Sequence, residues 1–229
     1  MKRNSVPSLL TLALTASLLP LAAQAQIIIS EVDANGSSAS DGYAADWFEL
    51  KNIGSSAVNI TGWKMDDNSA SFGSAVSIRG ITSIAAGQSV VFLEGNTSGS
   101  SDATIDANFI TAWFGGSAPV GFTVANYGGS GVGLSATADA VNIYDSTGVL
   151  QAGVTFNAST SGFTFDNSAG LSGSISQLSA VGVNGAFLSF NGAETGSPGD
   201  VAPVPEPATI ALAGLGLAAL LGFRKRRQS

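Results

Sequence analysis

The chain has 229 residues, nine of them basic and sixteen acidic, and contains neither cysteine nor histidine. Those two absences exclude disulfide stapling, thiol or imidazole catalysis, haem ligation by histidine and the usual zinc ligand sets. Six of the nine bases sit in the first three and last six residues, so residues 31–200 hold only Lys51, Lys64 and Arg79 against fifteen acids, a charge near −12 that excludes nucleic acid as a partner.

Lys2 and Arg3 precede an apolar stretch from Leu9 to Leu21, and Ala23-Gln24-Ala25 then places small residues where a signal peptidase reads. Residues 1–25 therefore read as a signal peptide, cut by signal peptidase between Ala25 and Gln26. Its apolar stretch is too short for a membrane span. Residues 26–202 have the size of one domain with a single core.

Inside that domain the apolar residues come in short alternating runs divided by Gly, Ser, Asn and Thr, the pattern of an all-β fold. Ile27–Asp33 is the first strand. Asp46–Lys51 is the second, with Phe48 and Leu50 on one face and Trp47 and Glu49 on the other. Asn52-Ile-Gly-Ser turns the chain. Val58 and Ile60 lead into Gly62-Trp-Lys-Met65, which Asp66-Asp-Asn68 stops. Ser89–Glu94 is a further strand, and 140–156 reads as a hairpin about Asp145-Ser-Thr-Gly148, with Leu150, Ala152, Val154 and Phe156 on one face. Shorter strands are expected at 132–134, 162–165, 174–178 and 187–190. Phe109, Ile110, Trp113 and Phe114 recur at helical spacing and predict a helix over 106–114. Segments 95–102 and 115–131 read as long surface loops. Strands this short, at this spacing, imply a two-sheet sandwich.

Ile29-Ser-Glu-Val32, Asp46-Trp-Phe-Glu-Leu-Lys-Asn52, Val58-Asn-Ile-Thr-Gly-Trp-Lys-Met-Asp-Asp67, Ile84-Ala-Ala-Gly-Gln-Ser-Val-Val-Phe92, Val141-Asn-Ile-Tyr-Asp-Ser-Thr-Gly148 and Gly196-Ser-Pro-Gly199 occur in this order. Together they resemble the lamin-tail domain, with Glu49 and Gly62-Trp63 the most specific part. The resemblance implies an immunoglobulin-like β-sandwich, found in bacteria on exported proteins and often beside hydrolase domains, none of which is present here.

The tail has a different character. Pro203-Val-Pro-Glu-Pro207 is succeeded by sixteen uncharged residues, 208–223, and then by Arg224-Lys-Arg-Arg227. As a helix the apolar run is roughly 24 Å long at about 1.5 Å per residue, just enough to span a bilayer with snorkelling bases. The basic cluster should stay cytoplasmic and everything before Pro207 should face outward. Proline motif, helix and bases in this order resemble the PEP-CTERM sorting signal. That resemblance implies recognition of Val204, Pro205, Glu206 and Pro207 by exosortase, a membrane-embedded cysteine transpeptidase, with Arg224, Lys225, Arg226 and Arg227 as the retention signal. The precursor would then pass through the inner membrane transiently, and the mature form would sit at the cell surface or in the extracellular matrix.

Other residues invite specific chemistry. Asp66, Asp67 and Asn68, alone or with Asp33 or Asp41, offer hard oxygen ligands for calcium, without the spacing of an EF-hand. Asp33, Asp46 and Glu49 contain the pair of acids that a glycoside hydrolase needs. Trp63 reads as a core side chain with an internal indole hydrogen bond, the alternative being a sugar platform. Glu31, Glu49, Lys51 and Lys64 read as cross-strand charge partners. The expectation is an exported envelope or matrix protein that binds or supports, with no catalysis and no cofactor and with extracellular polysaccharide as a candidate partner. The alternatives are a calcium- or carbohydrate-binding module and a carboxylate-only glycoside hydrolase.

Overall fold

The structure, a computed structural model, describes residues 27–38 and 40–199. The expected signal peptide with Ala23, Ala25 and Gln26, and the whole tail from Pro203 to Ser229, lie outside the described residues. Among the described residues no helix is long and apolar enough to cross a membrane.

The elements run β1 (Ile27–Asp33), β2 (Trp47–Asn52), β3 (Val58–Asn59), β4 (Lys64–Asp66), β5 (Val76–Arg79), β6 (Ser83–Ile84), β7 (Ser89–Gly95), α1 (Asp102–Phe114), β8 (Val124–Gly128), β9 (Asp139–Tyr144), β10 (Leu150–Phe156), β11 (Phe165–Asp166), β12 (Gly173–Ile175), β13 (Phe187–Leu188) and β14 (Thr195–Gly196). Ten strands form one sheet in the order β11-β1-β2-β7-β8-β5-β4-β9-β10-β12, and β3-β6 and β13-β14 are small separate pairs.

The fold is mostly β, as expected, but its layers are not two separate sheets. β5 joins them: Val76 and Ser77 pair with Met65 and Lys64 of β4, while Ile78 and Arg79 pair with Tyr127 and Asn126 of β8. The sheet therefore folds on itself, and β1 packs against β10 across the interior. Alternation puts Phe48, Leu50, Phe92, Met65, Val141, Ile143, Val154 and Phe156 into that interior. Phe48 stacks on Phe92 at 5.3 Å and meets Tyr127 at the same distance. Trp63 is buried in this core as expected. The internal indole hydrogen bond expected of it belongs instead to Trp47, whose Nε1 donates to the Tyr43 oxygen.

The outer face of β2 and β7 carries Trp47, Val91 and Leu93, which α1 covers with Phe109, Ala112 and Trp113. The helix begins at Asp102, four residues before the expected start, where the Arg79 guanidinium holds the Asp102 carboxylate at 2.7 and 2.8 Å. It ends at Gly115, whose φ of 65° is the left-handed cap geometry that favours glycine.

Three sequence expectations are corrected. Segment 115–131 is not a surface loop throughout, because it holds β8, a central strand parallel to β7. Ala125, Asn126, Tyr127 and Gly128 are all buried, so the strand has no polar face and no alternation to reveal it. Segment 132–134 forms no strand, and Val132 and Leu134 instead plug the core from a turn. Leu150 does not share the inward face of Ala152, Val154 and Phe156: a register shift between Leu150 and Ala152 turns it out, leaving it 52 % exposed.

Candidate functional site

The outer face of β1 and β2 is where the acids gather. Glu31 stands opposite Glu49 in the strand register, and Asp33 opposite Trp47. Ser30 is the extra residue at an irregularity between Ile29 and Glu31, and its hydroxyl donates to Glu49 Oε1 at 2.7 Å. Both glutamates are fully buried. The expected partnership of Glu31 and Glu49 with Lys51 and Lys64 is thus corrected. The two acids face each other, the Lys51 charge favours the ionised form of Glu49, and Lys64 Nζ lies 4.6 Å over the Phe72 ring. Burial, reinforced for Glu31 by the charge of Glu49, pushes Glu31 up to about 8, and burial pushes Glu49 up to about 7.

A second acid pair adjoins the first. The Tyr43 hydroxyl donates to the Glu194 carboxyl at 2.8 Å and lies 3.3 Å from Asp33 Oδ2, while Trp47 Nε1 reaches the Tyr43 oxygen at 3.1 Å. Burial, then the neighbouring Asp33, pushes Glu194 up to about 10, and burial raises Asp33 as well.

These acids hold the C-terminal strap of the domain. Glu31 Oε1 accepts from Ser197 N at 2.7 Å and from Thr164 Oγ1 at 2.5 Å, Glu31 Oε2 is 3.1 Å from Ser197 Oγ, and Glu49 Oε2 accepts from Gly199 N at 2.5 Å. Gly196 fits between strap and sheet because a Cβ there would meet Glu31 Oε1 at 2.7 Å and Trp113 at 2.9 Å. Ser197 and Gly199 fall in the Gly196–Gly199 stretch that resembles the lamin-tail domain, whereas nothing in the sequence singles out Tyr43, Thr164 and Glu194. The bonds from the strap to Glu31 and Glu49 cross 166 and 150 residues of chain, beyond any local pattern.

Beside Gly199 opens an apolar cleft of about 570 Å³. A second cavity, of about 510 Å³, is lined by Asp46, Glu94, Ser37 and Asn96. Burial raises Asp46 to about 6 and Glu94 to about 7. Of the three acids considered for hydrolysis, all are buried, and Asp46 lines the second cavity.

Asp66, Asp67 and Asn68 serve their own turn. The Asp66 carboxylate accepts from Ser69 Oγ at 2.7 Å, Ser71 N at 2.7 Å and Ser74 Oγ at 3.1 Å. Asp67 accepts from Ser69 N, and Asn68 N donates to Asp139. Among the described residues no group of three or more acids is placed to hold a metal ion. The sorting residues Val204, Pro205, Glu206 and Pro207 and the bases Arg224, Lys225, Arg226 and Arg227 lie outside the described residues.

Comparison with known proteins bears on both parts of the chain. The family model described as Lamin Tail Domain matches residues 20–158, more than half of the chain. The model described as PEP-CTERM protein-sorting motif matches residues 203–227. No curated protein matches.

Proposed function

Because the chain belongs to the lamin tail domain family and ends in a PEP-CTERM protein-sorting motif, we propose that it is an exported envelope or matrix protein processed by exosortase. Its immunoglobulin-like domain acts by binding or as structure rather than by catalysis. The observation that carries this reading is the match over 203–227, the segment in which Val204-Pro-Glu-Pro207 precedes an apolar run and four bases. In this account residues 208–223 hold the precursor in the inner membrane, Arg224–Arg227 keep its end in the cytoplasm, and the motif stands at the outer boundary. The strap that ties residues 194–199 to β1 and β2 supports the reading. It anchors the domain's end next to the sorting segment, so cutting there leaves the acid-lined core intact. Extracellular polysaccharide is a candidate ligand for a binding role.

The test is cell fractionation of variants. Glu206→Ala should leave a full-length precursor in the membrane, and replacing the four bases by Ser should impair retention and orientation. Normal release of Glu206→Ala would overturn the reading.

A further inference from the structure

The cleft of about 570 Å³ at the end of α1 has walls of Phe114, Pro119, Val120, Phe122, Phe187 and Pro198. Its size is that of ligand clefts, roughly 300 to 1,000 Å³. The aromatic wall is already assembled, with Phe114 edge-on to Phe122 at 4.7 Å and tilted against Phe187 at 5.9 Å. Val120 stands wholly exposed on it. Ser89 also lines the cleft, with its Oγ buried beside Glu49. An aromatic wall of this kind is suited to a ligand with an apolar face.

Such a ligand is at hand in the same chain. Gly199 lines the cleft and is fixed there by Glu49 Oε2, so the next residues leave the domain from the cleft itself. They include Val201-Ala-Pro203-Val-Pro205-Glu-Pro207, with a proline at every second position from 203. A segment of this kind favours polyproline II, whose carbonyls have no internal partners, and polyproline II segments dock in aromatic-lined grooves.

We infer that Val201–Pro205 docks in this cleft, its prolines and valines against the Phe wall. Glu206, the one charge between 201 and 207, then stands at the cleft's mouth. Docking makes the domain and the sorting motif one unit instead of two parts on a loose tether. It goes beyond the proposed function and does not depend on exosortase acting.

Because the chain has no cysteine, the pair Val120→Cys/Val204→Cys would carry its only two thiols. In the full-length chain, dilute in detergent micelles and mildly oxidised with copper phenanthroline, an intramolecular disulfide should form. It should form roughly tenfold or more faster than in Val149→Cys/Val204→Cys, since docking raises the effective concentration of one thiol at the other. Val149 is 57 % exposed and does not line the cleft. In a second measurement a nitroxide on Val204→Cys should be slow in the otherwise unchanged chain and faster when Val120→Asp puts a charge on the wall. Equal disulfide rates in the two pairs, or label mobility unaffected by Val120→Asp, would overturn the inference. A disulfide found mainly between chains would also overturn it, assigning the cleft to a second copy.

Discussion

Raising the pH from 5 to 7 should weaken this fold, opposite to the behaviour of a protein held by ionised carboxylates. Burial lifts Glu31 to about 8 and Glu194 to about 10 from an ordinary 4.5, so both keep their protons in the native protein and lose them near 4.5 once unfolded. For a group raised on folding, the stabilisation is fully present below the unfolded value and is lost as pH climbs to the folded one. Between pH 5 and 7 these two groups give the native state up to two protons more than the unfolded chain, and Glu49, Glu94, Asp46 and Asp41, raised by burial to about 7, 7, 6 and 6, add to the difference in the same direction. Each is worth about 1.4 kcal/mol per pH unit, so Glu31 and Glu194 together contribute a slope of roughly 3 kcal/mol per unit. Against a total of ~5 to 15 kcal/mol for a typical domain, this is a large effect. Urea midpoints at pH 5, 6, 7 and 8, on a chain spanning 26–207, measure it directly. Glu31→Gln and Glu194→Gln, which mimic the protonated acids, should each remove one proton from the difference and flatten the slope by about 1.4 kcal/mol per pH unit. A midpoint that stays level or rises from pH 5 to 7, or a slope that neither variant changes, would refute the reasoning.

Trp47 is wholly buried and edge-on to Phe109 and Trp113 at 5.8 and 6.0 Å, so Trp47→Ala should cost about 3 to 5 kcal/mol in urea unfolding. Arg79 donates two charge-assisted hydrogen bonds to Asp102 and a third to the Asn96 carbonyl. Arg79→Ala should therefore cost about 2 to 3 kcal/mol and loosen the start of α1, readable as faster amide exchange there. Millimolar calcium should leave the melting temperature unchanged, because the Asp66 carboxylate is already filled by Ser69, Ser71 and Ser74; a clear rise abolished by Asp66→Asn would revive the metal reading.

Strands whose two faces differ, or that carry a marked apolar run, were legible in the sequence: β1, β2, β7 and the β9–β10 hairpin were placed within a residue or two. The helix was visible because Phe109 and Trp113 share one face. β8 escaped because a strand covered on both sides has no alternating signature. The acid pairs escaped for a different reason. Glu31 and Glu49 look like ordinary strand-surface charges until the strap 194–199 closes over them, and the strap's contacts come from the far end of the domain. Asp66–Asn68 resembled a cation loop because turn-capping and cation binding draw on the same residue types. The sorting residues were legible for the opposite reason: their order along the chain, rather than their contacts, carries the signal.

The central claim, that this chain is an exosortase substrate, is tested most directly by the intact mass of the protein from an exosortase-positive host and from its deletion strain. The account predicts a mature C-terminus near Pro207 in the first and a chain still ending at Ser229 in the second. A protein ending at Ser229 in both strains would contradict it and leave residues 208–227 as a plain tail anchor.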